Sequence, residues 1–303
     1  MERFPDDARV CFVGDSITHR GLYIAHIASH YRKYFPDSKV EFYDCGISGG
    51  NLGNSIKVYG EDTALYEPTH VVLMIGVNDS RRNLLAEPPS KERYENLLLA
   101  YDNYNKNLET FYEMIKEKGA ELILCTPVPL NEYRSEVCSA FRGGYALIQG
   151  YAEAVRNFAK KYDLPLCDYH TAITKAMQTE ELYAPDGVHP TPDGHYRMAE
   201  AFLAAQGMKI EEDAALDGAV NEWYELTQKL RGVVATEYFM VKDYELADDE
   251  RYEMVKSKLA EAEAGADFGV HTKYFTELMR DYMVNKPKQK EFVAKIKAIM
   301  KNQ

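Results

Sequence analysis

The sequence predicts a three-layer α/β/α fold with a parallel sheet of about five strands, followed by a C-terminal helical extension. Three features predict it. Short apolar runs alternate with longer helical patterns up to about residue 205; the runs are near-continuous rather than alternating; and beyond about Met208 no further strand-and-crossover unit is visible. Strands buried on both faces read as unbroken Val, Ile and Leu stretches, and their alternation with helices favours parallel pairing.

The runs are Val10–Val13, Val40–Tyr43, Val71–Ile75, Leu122–Cys125 and Leu164–Cys167. Between the third and fourth lies YENLLLAYDNYNKNLETFYEMIKEKG, whose Leu, Tyr, Phe and Ile recur at helical spacing and whose Lys118-Gly119 end suits a helix C-terminus. Ligands of such sheets sit beyond the C-terminal strand ends. The tips to watch are therefore GDS, GISGGN, GVNDS and TPVPLNEY, which follow the first four runs. Residues 1–207 form the expected catalytic domain and residues 208–303 the helical extension, punctuated by Gly232, Gly265, Gly269 and Pro287. Val233 to Val241 is apolar enough to read as helix or strand.

Bulk properties narrow the function. At 303 residues, with 46% hydrophobic and 28% charged residues, the chain is an ordinary globular protein. A formal charge of −12 argues against a protein that works by neutralising phosphates, so no nucleic-acid partner is expected. No apolar stretch is long enough to span a membrane, and MERFPDDARV lacks the apolar core of a signal peptide. The expected location is cytoplasmic. The odd count of five cysteines, four of them in or beside apolar runs, reads as free thiols rather than a disulfide or zinc framework. The lysines from Lys286 onward read as a solvated face.

The chemistry lies at the strand tips. Ser16 stands where a buried run ends, a place equally suited to a nucleophile and to a helix cap. Asn78, after the third run, offers an amide donor for an oxyanion, although Gly, Asn and Asp are also plain turn formers. After the last strand, Asp186 precedes His189 by three residues, a spacing that lets the carboxylate orient one imidazole nitrogen and leave the other for a hydroxyl. Together the tips supply a hydroxyl, an amide, an imidazole and a carboxylate on one edge of the sheet.

With GDSIT, GVND and DGVHP in this order, the first roughly 205 residues resemble the SGNH, or GDSL-type, hydrolases. The resemblance implies a flavodoxin-like sheet, with Ser16 as nucleophile, His189 as general base and Asp186 as its orienting acid. It also implies an oxyanion hole made by the Ser16 and Gly49 backbone N–H groups and the Asn78 side chain, with Gly50 taking the place of Gly49 if the alignment slips by one. No metal and no other cofactor is implied. Asp15 and Asp79 read as supporting brackets between loops.

Two competing patterns are present. Gly46-Ile47-Ser48-Gly49-Gly50 fits the G-x-S-x-G elbow, but too few strands precede it to build the oxyanion loop an elbow needs. Asp15, Asn78, Asp79 and His189 are metal-ligand types, but His19 and His195 fall outside any two-metal pattern. The expected function is hydrolysis of a short O-acyl ester, first of all O-acetyl on a carbohydrate. A lysophospholipase or thioesterase, an O-acyltransferase with the same residues, and a non-catalytic interaction protein are the alternatives. Loops Ser80–Ser90, with Arg81 and Arg82, and Pro127–Tyr145, with Tyr133, Arg134, Phe141 and Arg142, are expected to shape the pocket. The expected partner is a small-molecule or carbohydrate ester; the C-terminal helices are expected to pack on the catalytic domain, cap the site or make a homo-oligomer.

Overall fold

A computed structural model describes residues 1–133, 142–210, 216–241, 246–268 and 272–301. The chain divides into two compact units, Met1–Asp217 and Gly218–Asn302. The division falls after Asp217, beyond the 207/208 boundary read from the sequence.

In the first unit, β1 (Arg9–Gly14), β2 (Glu41–Gly46), β3 (His70–Met74), β4 (Glu121–Cys125) and β5 (Leu166–Cys167) form one sheet in the order β2-β1-β3-β4-β5. Every pairing is parallel, and Gly14 lies in register with both Gly46 and Met74, and Met74 with Cys125. The four tips therefore leave the sheet along one edge. β1 and β2 are buried along almost their whole length; β1 reads as an unbroken apolar run after Arg9, whereas β2 buries Glu41 and Asp44 among its apolar residues.

The helices are α1 (Ser16–Arg20), α2 (Leu22–Tyr34), α3 (Leu52–Val58), α4 (Lys91–Glu117), α5 (Gly144–Tyr162), α6 (Tyr169–Ala176) and α7 (Pro192–Ala205). α4 buries Ala100, Tyr104, Leu108, Phe111 and Ile115, the stripe its periodicity foretold. Gly14 sits where α1 turns back over β1. A Cβ there would collide with the Thr18 hydroxyl and the Met74 carbonyl oxygen, so glycine is the residue that lets the Ser16 turn lie flat on the sheet.

Two strands differ from the sequence reading. β5 has two residues, not four, because Pro165 has no N–H for the ladder and contributes only its carbonyl to the Leu124 N–H. β2 runs on through Asp44 and Cys45 to Gly46, since the Asp44 carboxylate, although buried, accepts the Gly46 N–H at 2.7 Å.

The second unit comprises α8 (Gly218–Met240), α9 (Asp248–Glu263), α10 (Thr272–Asn285), a 3-10 turn over Lys286–Lys288 and α11 (Gln289–Lys301). The ambiguous segment from Val233 is helical to Met240, and Gly232 does not break α8. An interior glycine costs a helix only about 1 kcal/mol, and buried Leu230, Arg231 and Val233 on either side of it hold the helix together. Val233, Met240, Val241, Val255, Met279 and Tyr282 form the core of this unit. Lys286 departs from the solvated reading of the lysine run. It is buried, with Nζ 2.6 Å from both Glu237 and Asp248. Glu237 also accepts from the Tyr282 hydroxyl at 2.9 Å, which gives the buried charges the partners they require. Among the described residues no helix is long and apolar enough to cross a membrane.

Candidate active site

β1 delivers Ser16 to the first position of α1, and the cap is its neighbour. The Asp15 carboxylate accepts the Ile17 N–H at 3.0 Å, which leaves the half-buried Ser16 side chain without a capping role. Ser16 Oγ lies 2.8 Å from His189 Nε2.

His189 and Asp186 arrive on a loop that follows α6, not directly off the last strand as the sequence suggested. A hairpin-like closure shapes this loop: Tyr183 bridges Pro190, and the Ala184 N–H donates to the His189 carbonyl at 2.8 Å. The Asn131 N–H donates to the Gly187 carbonyl at 2.9 Å, which ties the loop to the segment beyond β4. Asp186 Oδ1 accepts the backbone N–H groups of Val188 and His189, both at 2.9 Å, so the carboxylate is fixed before it meets the ring. Oδ2 then lies 2.6 Å from His189 Nδ1. A carboxylate only accepts, so Nδ1 carries the proton and Nε2 is left to accept from the Ser16 hydroxyl. Burial pushes the Asp186 carboxyl up, but hydrogen bonds from the His189 backbone, the His189 ring and the Val188 backbone outweigh it and hold it below its ordinary value.

Asn78 lies in the turn after β3 and donates from Nδ2 to the Gly50 carbonyl at 2.8 Å. That bond joins the second and third strand tips. Gly49 has a left-handed backbone with φ 74°, whereas the Gly50 N–H is taken by the Ile47 carbonyl at 2.8 Å. Tyr104, which carried no signal in the sequence beyond its place on the helical stripe, donates its hydroxyl to the Ile75 carbonyl at 3.0 Å and props the end of β3.

Asp79 reaches from the same turn to the Leu52 N–H at the start of α3, at 3.0 Å. Its buried Oδ2 has no hydrogen-bond partner among the described residues. Burial pushes this carboxyl up to about 7; the Leu52 N–H opposes the rise and the charge of Asp15 adds to it. Asp15 is pushed up as well, by its own burial, against the opposing Ile17 N–H and the nearby guanidinium of Arg82. Because the folded protein holds a proton on Asp79 that the unfolded chain has lost, stability falls as the pH rises from the ordinary carboxylate value towards 7. Asp79→Asn removes that term. Its melting temperature relative to the wild type should rise between about pH 4 and about pH 8, by the equivalent of about 4 kcal/mol. A difference that stays flat across this range would mean that Asp79 is ionised in the fold.

The remaining candidates are less engaged. Ser48 sits in the β2–α3 turn, and no hydrogen bond joins it to an imidazole among the described residues. His195 is buried in α7, stacked on Tyr23, and burial drives its imidazole down to about 3. Of the pocket loops, Arg82 turns inward against Asn78, while Arg81, Asn83, Tyr133 and Arg142 are exposed; Arg134 and Phe141 lie outside the described residues. The inward turn of Arg82 was not foreseen.

Residues 12–197, which hold this constellation, match the model of the GDSL-like lipase/acylhydrolase family. The chain belongs to that family. GDSL-type membership makes it a hydrolase of ester bonds. An acetylxylan esterase from Geobacillus stearothermophilus is 26% identical over 220 residues, covering 66% of this chain and 94% of the relative. A catalytic mutant of that organism's acetylxylan esterase Axe2, with a serine replaced by alanine, superposes with a TM-score of 0.57 at 24% identity, covering 69% of this chain and 98% of Axe2. A gut microbial diltiazem-metabolizing enzyme superposes over 99% of this chain and 97% of its own, with a TM-score of 0.76 at 17% identity. At these identities the two structures speak for the GDSL-type fold alone.

Proposed function

We propose that this GDSL-type enzyme removes short acyl groups, acetyl first, from a carbohydrate ester through an acyl-enzyme on Ser16. The observation that carries the reading is the unbroken hydrogen-bonded line from Ser16 Oγ through His189 to Asp186, at 2.8 and 2.6 Å. Ser16 attacks the ester carbonyl as His189 Nε2 takes its proton, and the protonated ring then gives that proton to the leaving alcohol. Water, deprotonated by the same nitrogen, releases the acid in the second half. The oxyanion is received by the Ser16 N–H at the open start of α1, by the Gly49 N–H and by the second N–H of the Asn78 amide. Asp15 and Asp79 hold the Ser16 and Asn78 turns in place.

Substrate class rests on two supports. The exposed residues of the two loops include the polar Arg81, Asn83, Glu87, Ser90 and Arg142 with one aromatic, Tyr133, a composition suited to a hydroxylated carrier rather than a long acyl chain. The relative that is 26% identical is an acetylxylan esterase. The buried free thiols Cys11, Cys45, Cys125 and Cys167 suit a reducing, cytoplasmic setting. The test is a series of 4-nitrophenyl acetate, butyrate and octanoate. The expected result is a kcat/KM that falls by at least about tenfold from acetate to octanoate, since a pocket built for a short acyl group must be strained to admit a longer one. A rise along the series would replace the carbohydrate reading with the lipid one.

A further inference from the structure

We propose that Arg82 is a positioning residue for ester hydrolysis, holding the Asn78 amide so that one of its N–H groups is presented to the oxyanion. The inference rests on the oxyanion role given to Asn78 above. Two hydrogen bonds carry it. Arg82 Nη1 donates to Asn78 Oδ1 at 3.0 Å, and Asn78 Nδ2 donates to the Gly50 carbonyl at 2.8 Å. A guanidinium can only donate and a carbonyl can only accept, so the pair fixes which end of the amide is oxygen and which is nitrogen. An amide nitrogen carries two hydrogens. With one held by Gly50, the second has a single defined direction. If the amide turned over, its oxygen would face the Gly50 carbonyl and the nascent oxyanion, and both contacts would be repulsive.

The backbone holds Arg82 in place for this task. Arg81 has φ 50°, a left-handed conformation rare for a side chain of its size, and it turns the chain back so that Arg82 can reach the Val77–Asn78 peptide. Arg82 Nη1 also lies 3.3 Å from the Val77 carbonyl, which accepts the Ser80 hydroxyl at 2.7 Å. The Ser80 N–H donates to Gly76 and the Arg81 N–H to Asn78, so the segment from Gly76 to Arg82 is closed on itself. The contact to Asn78 is charge-assisted, stronger than one between neutral groups, and it draws electron density from the amide, which makes the remaining N–H a better donor.

The competing role for Arg82 is direct contact with a polar substrate, and a double-mutant cycle separates the two. The intact chain is assayed on 4-nitrophenyl acetate as wild type, Arg82→Ala, Arg82→Lys, Asn78→Ala and the Arg82→Ala/Asn78→Ala double variant. Arg82→Ala should lower kcat by about 10- to 100-fold, less than the ~10²–10³-fold of losing the donor outright, with KM nearly unchanged. Arg82→Lys, which keeps a cationic donor, should recover most of the loss. Once Asn78 is alanine, removing Arg82 should cost less than about twofold, because contacting residues that act as one unit are not additive. An equal loss in both backgrounds, or a loss confined to KM, would overturn the positioning role. Wild-type kcat in Asn78→Ala would instead sink the oxyanion reading beneath it. Should thermal unfolding show that Arg82→Ala does not fold, Arg82→Lys and Arg82→Gln carry the cycle, with only the lysine expected to keep kcat near the wild type.

Discussion

Ser16→Ala is expected to reduce ester hydrolysis by about 10⁵–10⁶-fold, a loss matched only by removal of its base His189. Nothing else in the described site can take its place. Ser48, the other serine in a glycine-rich tip, has no hydrogen bond to an imidazole, whereas His189 Nε2 is 2.8 Å from Ser16 Oγ. Removing the hydroxyl should leave the fold intact, because the α1 cap is made by Asp15 and not by Ser16. The variant should therefore melt close to the wild type while its turnover falls to what the oxyanion donors give to bound water. A Ser48→Ala control should keep near wild-type activity.

Asp186→Asn is expected to lower kcat by about 10⁴-fold. Oδ1 of Asp186 is held by two backbone N–H groups, and an asparagine oxygen would keep both. The amide nitrogen would then replace Oδ2 at 2.6 Å from His189 Nδ1. A donor there forces Nδ1 to accept, which moves the proton to Nε2 and leaves no base for the Ser16 hydroxyl. The geometry survives and the tautomer is wrong. Steady-state kinetics with 4-nitrophenyl acetate would reveal it as a fall in kcat with little change in KM. A variant within tenfold of the wild type would mean that His189 needs no fixed tautomer, and that the line through Asp186 is structural.

The parts of this site that could be read from sequence were those with a simple physical cause. Buried parallel strands leave largely apolar runs, so the tips after β1, β2 and β3 were visible, and with them Ser16 and Asn78, whereas Gly49 was named only through the family resemblance. The Asp186–His189 pair was visible because a three-residue spacing on a tight turn brings carboxylate and ring together. The source of their loop was not. β5 is cut to Leu166–Cys167 by Pro165, and α6 intervenes before Tyr183, so the loop reaches the site through pairing with the Asn131 segment. Periodicity carries no information on such a non-local contact.

Arg82 was hidden for a different reason. Its inward course depends on the left-handed backbone of Arg81, and propensity assigns no such conformation to an arginine. Lys286 was misread because a lysine-rich run is read by composition, whereas its burial depends on Glu237 and Asp248, distant in sequence and brought to it by the packing of α8 and α9. Gly232 was read as a stop because an isolated glycine weakens a helix locally, while the core on either side of it decides the outcome.

The central claim is an acyl-enzyme on Ser16, and the most direct measurement is to trap it. Wild-type protein mixed with 4-nitrophenyl acetate is quenched in acid within the first turnovers, digested and examined by mass spectrometry. Acetyl ester on the peptide that contains Ser16, formed in the wild type and missing from Ser16→Ala, is the predicted result. Acetyl ester on the peptide that contains Ser48, or steady turnover with no acylated serine at any quench time, would contradict it.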